Sequence, residues 1–189
     1  MFNTKNTKET TGSKWIAPGV ENDIVISNVT GYLPAEAERA PFLEFTFRKA
    51  SSTDEDATKI RFYMSEKSSE MSMKKVLHLA TKVVKRTQID AITANSVEEY
   101  GALLHKLIVG KHLRLKFLGE EYVNSKNEVK VKPVLGLPSF AEAVMEGAEY
   151  PVVMDNATKL TYDSTKDLFK IANAPISDAT IVEDDDLPF

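Results

Sequence analysis

The chain has 189 residues, no cysteine and a formal net charge of −4. That length suits one domain with appendages and can bury a sizeable core, while the missing thiols exclude disulfides and thiol catalysis and fit a reducing cytosol. The charge is unevenly spread: residues 23–134 carry 18 Lys/Arg against 15 Asp/Glu, and residues 135–189 carry 3 against 11. A mildly basic body with an acidic C-terminal third suggests a nucleic-acid-binding body and an acidic tail, although an ordinary mixed-charge surface has the same balance.

Residues 1–14 are polar and rich in Thr, Asn and Lys, so a disordered arm without a secretory signal is expected. No apolar run approaches membrane-spanning length, and no membrane partner is expected. A first strand is expected at about residues 24–29. The next stretch, Phe42-Leu43-Glu44-Phe45-Thr46-Phe47-Arg48, alternates with period two and places Leu43, Phe45 and Phe47 on one face. A polar hairpin loop leads to a third strand, in which Ile60, Phe62 and Met64 face in while Lys59, Arg61 and Tyr63 face out.

Helical spacing follows at Met73, Val76, Leu77, Ala80, Val83 and Val84. A second helix is announced by Ser96 and Glu99 as a capping box, a stripe from Tyr100 to Ile108, and Gly110 as its stop. Strands resume at residues 112–117 and 129–133. Ser139 and Glu142 read as a second capping box for a short helix ended by Gly147. One or two further strands are expected within residues 150–163, and a last short helix from Ser164 to about Ile171.

Three strands, a helical insert and two more strands is the order of an OB-fold: a mainly β, five-stranded barrel with helices between strands three and four. The alternative is an open sheet with helices packed on one side. The domain is expected to span residues 15–172, with residues 138–172 either padding the barrel or mediating homo-oligomer formation, and residues 173–189 forming an acidic linker and tip.

The outward strand positions Arg48, Lys59, Arg61, Tyr63, Arg114, Lys116, Lys130 and Lys132 alternate with apolar residues, and Glu44 is the one acid clearly among them. Single-stranded nucleic acid needs such a cationic track together with flat side chains for base stacking. Tyr63 is the best stacking candidate by parity, and Trp15, Tyr32, Phe42 and Tyr122 are weaker ones. The same pattern also suits the solvated face of an antiparallel sheet. Phe45, Phe47, Phe62 and Phe117 read as core.

Catalysis has little support. His78, His105 and His112 lie on different elements, and no phosphate loop, nucleophile elbow or metal-ligand spacing is present, so neither an enzyme nor a cofactor is expected.

The sequence ends Asp184-Asp185-Asp186-Leu187-Pro188-Phe189. Three carboxylates before an apolar tip, read as ending in a free α-carboxylate, form a bait for a basic, apolar pocket on another protein. This segment resembles the C-terminal peptide of bacterial and phage single-stranded DNA-binding proteins. The resemblance implies an OB-fold that coats single-stranded DNA and recruits replication, recombination or repair proteins through residues 184–189. The body departs from ordinary bacterial members in its long helical insert and in the segment after the fifth strand. It looks more like a phage-encoded protein acting in the cytoplasm of a bacterial host. Two other classes stay open: an interaction adaptor that binds a replication or repair protein without binding DNA, and an enzyme of DNA metabolism that carries the tip as a localiser.

Overall fold

A computed structural model describes residues 16–35, 39–52, 57–136, 141–143 and 160–171. The expected arm, Trp15, Ser139, Gly147 and the whole of residues 173–189 lie outside the described residues. The fold is mainly β with a helical insert. Its strands are β1 (Gly19–Tyr32), β2 (Phe42–Lys49), β3 (Thr58–Tyr63), β4 (His112–Val123), β5 (Val129–Val134), β6 (Ala141–Ala143) and β7 (Leu168–Phe169), and its helices are α1 (Ser69–Ala80), α2 (Arg86–Asp90) and α3 (Val97–Ile108).

The sheet runs β3-β2-β1-β4-β5, with β6 and β7 added to β4. Among the described residues β3 and β5 are not paired, so the sheet is open rather than a closed barrel. β1 is far longer than the expected first strand, and it holds β2 along Ile24–Tyr32 and β4 along Gly19–Val25. Its register shifts twice, between Glu21 and Ile24 and between Ile26 and Asn28. Such bulges add local twist and let one strand serve two neighbours at different angles.

The core matches the period-two parity of the sequence. Leu43, Phe45, Phe47, Leu113, Leu115 and Phe117 are fully buried, Phe62 nearly so, and Val76, Leu79, Leu104 and Ile108 pack on them from α1 and α3. Phe45 meets Phe62 edge-on at 5.2 Å between ring centroids, an arrangement ring quadrupoles favour. The Ser96 side chain accepts from the Glu99 amide as expected, but Glu99 reaches back one residue further, to the Asn95 amide at 2.8 Å. Gly110 adopts a positive φ of 82° past the end of α3, and its amide donates to the Ile26 carbonyl.

Two expectations are corrected. Residues 141–143 form a strand on β4 instead of a helix, because β4 still has open backbone groups there to satisfy. The expected helix from Ser164 becomes a turn followed by β7. Asp163 accepts from Thr165 and Asp167 accepts from the Asp163 amide, which closes the turn locally. Residues 160–163 form no strand; the rest of that expected segment, residues 150–159, lies outside the described residues.

Candidate nucleic-acid interface

The three-strand meander β1-β2-β3 places its outward side chains in ladder rungs. Tyr32, Phe42 and Tyr63 stand opposite one another across the strands, followed by Thr30, Glu44 and Arg61, then Asn28, Thr46 and Lys59. Directly opposed residues on one face touch. The Tyr32 and Phe42 ring centroids are 5.1 Å apart, and those of Phe42 and Tyr63 are 5.6 Å apart. Tyr32 is 52% exposed and Tyr63 47%, so an aromatic platform faces solvent.

On the second rung the Glu44 carboxylate accepts from Arg61 Nε at 2.8 Å and lies 3.3 Å from Lys59 Nζ. The Arg61 guanidinium also lies over the Phe42 ring, 4.9 Å from its centroid. Its pKa is raised, first by the hydrogen bond to Glu44 and then, against an opposing effect of burial, by Tyr63. The residues of the three rungs except the buried Thr46, with Pro34, Ala35, Arg39 and Ala40 of the β1–β2 loop, line one groove of about 800 Å³.

The remaining expected site residues are drawn elsewhere. Arg48 turns back on its own strand end, and its Nη1 donates to the carbonyls of Lys49, Ala50 and Ser52. Arg114 donates to the Asn22 side chain at 2.9 Å and to the Leu160 carbonyl at 3.2 Å. Lys116 is held by Asp167 at 2.7 Å and is only 17% exposed. Residues 160–171 therefore run alongside β4 and engage its outward Arg114 and Lys116, tied down further by Gly119 N–H donating to the Asp167 carbonyl and by the Glu121 carboxylate accepting from the Ile171 amide.

Lys130 was expected to face outward but is 5% exposed. Both Lys130 and Val131 are buried, so β5 breaks the parity its sequence suggests. The Lys130 stem lies within the fold while its ammonium reaches the exposed Glu128 at 3.1 Å. Asn124 and then Lys130 hold the Glu128 carboxyl below its ordinary range. Lys132 lies 3.5 Å from Glu120 and 6.0 Å from the Tyr122 ring centroid. Glu120 thus puts a second acid on the faces where the sequence pointed clearly to Glu44 alone.

Of the eight expected residues, Lys59, Arg61 and Tyr63 share the groove, and Tyr32 and Phe42 join them. Sequence reasoning missed Arg39, Asn28 and Thr30. The alternation of Asn28, Thr30 and Tyr32 with buried neighbours was visible in the sequence, but Thr30 and Tyr32 lay beyond the expected end of the first strand. Arg39 sits in a mixed-charge loop with no period to read. Among the described residues no group of three His, Cys, Asp or Glu is arranged to hold a metal, and no helix is long and apolar enough to cross a membrane. Compared with known protein families and with curated protein sequences, the chain matches neither.

Proposed function

We propose that this chain binds single-stranded DNA along the β1-β2-β3 face, without chemistry of its own, and recruits replication, recombination or repair proteins through residues 184–189. The observation that carries the DNA reading is the contiguous Tyr32–Phe42–Tyr63 platform beside Arg39, Lys59 and Arg61 in one groove. Bases stack on exposed rings regardless of sequence, and the cations take the phosphates.

Strand order supports an OB-like reading. The run β3-β2-β1-β4-β5 would become a five-stranded barrel if β3 met β5. In an OB-fold the second and third strands and the loop between the first two form the oligonucleotide surface, which is where this groove lies. The tip keeps its reading from the sequence: acidic residues 184–186 steer, and Leu187 and Phe189 fill an apolar pocket. A phage-encoded protein working in a bacterial cytoplasm would use it to engage host enzymes.

The adaptor reading draws on one observation, that Glu44 already engages both Lys59 and Arg61. A titration of labelled oligo-dT at low and high salt tests the proposal. The expected result is saturable binding whose logarithm falls linearly with the logarithm of salt. Absence of binding at low salt leaves the adaptor.

A further inference from the structure

Glu44 is out of place on a surface that takes phosphates. A carboxylate repels them, and an Ala or Thr at the centre of the rung would leave Lys59 and Arg61 free. Its position suggests what it does. It stands one rung from Phe42 on β2, about 7 Å along the strand at roughly 3.3–3.4 Å per residue. A base lying on the exposed Tyr63 ring, on the same rung as Phe42, therefore brings its edge to the second rung. The Glu44 side chain is 16% exposed and lines the groove.

An ionised carboxylate has about four lone-pair sites, and Arg61 and Lys59 use two of them. Its remaining sites accept hydrogen bonds and cannot donate them. The neighbouring Thr30 hydroxyl and Asn28 amide both donate and accept, so they fit either kind of base edge. Glu44 does not. It favours a base that presents an exocyclic amine and disfavours one that presents a carbonyl oxygen there.

We infer that Glu44 gives this groove a preference for amino-bearing bases, cytosine over thymine, because it meets the edge of a base stacked on the exposed Tyr63 ring with an acceptor-only group. Cytosine N4 donates to a carboxylate, whereas thymine O4 faces it with a second acceptor. Two pyrimidines are the fair comparison, since their stacking faces are alike and their edges differ. The same geometry explains why two cations flank the carboxylate: they offset its repulsion of the phosphates while leaving its outer lone pairs available.

This inference rests on the reading under Proposed function. The test uses the full chain and labelled dC and dT oligonucleotides of equal length, at slightly alkaline pH where dC strands stay unfolded. The expected result is dC binding about three- to tenfold tighter than dT, the range of one net hydrogen bond. Glu44→Gln offers a donor as well as an acceptor and should bring the two affinities to within roughly twofold, mainly by improving dT. A dC strand methylated twice at each N4, tested on the unaltered protein, should lose the preference without any substitution in the protein. Equal affinity for dC and dT, tighter dT, or an unchanged ratio in Glu44→Gln would overturn the inference while leaving DNA binding intact. Failure to bind either strand would overturn the functional reading itself, and the preference with it.

Discussion

The backbones of Gly31 and Gly101 are in direct contact. A Cβ built on Gly101 would lie 2.8 Å from Gly31 Cα and closer still to the Gly31 amide nitrogen, and one built on Gly31 would run into the Val97 carbonyl. This contact seats α3 on the inner side of β1 between Thr30 and Tyr32, the two residues that open the second and first rungs of the groove. The outer surface is therefore set by an inner contact that only two glycines allow.

Gly101→Ala tests that seating. In an open helix the change would stabilise by about 1 kcal/mol through propensity. Here the methyl meets backbone that cannot rotate away, and overpacking costs about 1–3 kcal/mol. A net loss of stability is expected, read as a lower denaturant midpoint with an unchanged slope. A variant as stable as the parent would mean that α3 shifts freely.

Tyr63→Ala removes one end of the platform. Loss of one stacked base should weaken oligo-dT binding by about 1–3 kcal/mol with little change in salt dependence. Arg61→Glu should weaken binding and reduce the salt slope by about one. If both variants bind as the parent does in a salt titration, the groove is not the DNA surface.

Lys116→Gln should behave oppositely. Its ammonium is bound to Asp167, so the variant should lose stability and keep its affinity for DNA. Weakened DNA binding at unchanged stability would return Lys116 to the interface.

The same pair gives a pH dependence. Burial opposes the charged form of Asp167, but the Lys116 ammonium and the Asp163 amide outweigh it and hold its pKa below the ordinary value. A depressed carboxyl stabilises the fold above its unfolded pKa and loses that contribution as pH falls through the folded one. Protection of the Gly119 amide against exchange, relative to its intrinsic rate, should persist through the ordinary carboxylate range and fall only below it, because that N–H donates to the Asp167 carbonyl. In Asp167→Asn the Gly119 exchange should be faster near neutrality and should lack this acid step.

The tip predicts a separable loss. Deleting Phe189 should abolish capture of a host replication or repair protein that recognises such segments, because the Phe189 ring is the apolar anchor that the acidic residues 184–186 deliver. DNA affinity should survive. Full retention of the partner would leave residues 184–189 as a solvated acidic end.

The β body was legible where one face is buried and the other wet. Leu43, Phe45, Phe47 and Phe62 announced β2 and β3 because their alternation is strict. β1 was read as half its length because Gly19–Asp23 follows no period, the alternation at Thr30–Tyr32 is carried inward only by a glycine, and bulges change its parity midway. The site was half legible for a related reason. Parity tells which way Arg114 and Lys116 point, but not that residues 160–171 return to cover them. A long-range cover of this kind leaves no local pattern. Lys130 misled because a long aliphatic stem lets a cation occupy a buried position while its head reaches Glu128.

The pairing of β1 with β4 also bears on how the chain reaches this structure. Asn22 and Arg114 touch across 92 residues of sequence. During synthesis β1, β2 and β3 emerge as a meander of near neighbours, while one edge of β1 waits for β4. Contacts between distant segments form slowly, and an open edge is a template for intermolecular pairing until they do. The three strands that carry the groove are therefore able to assemble early. The danger of aggregation falls in the interval before β4 arrives, so a chaperone or a slow translation rate would matter most there.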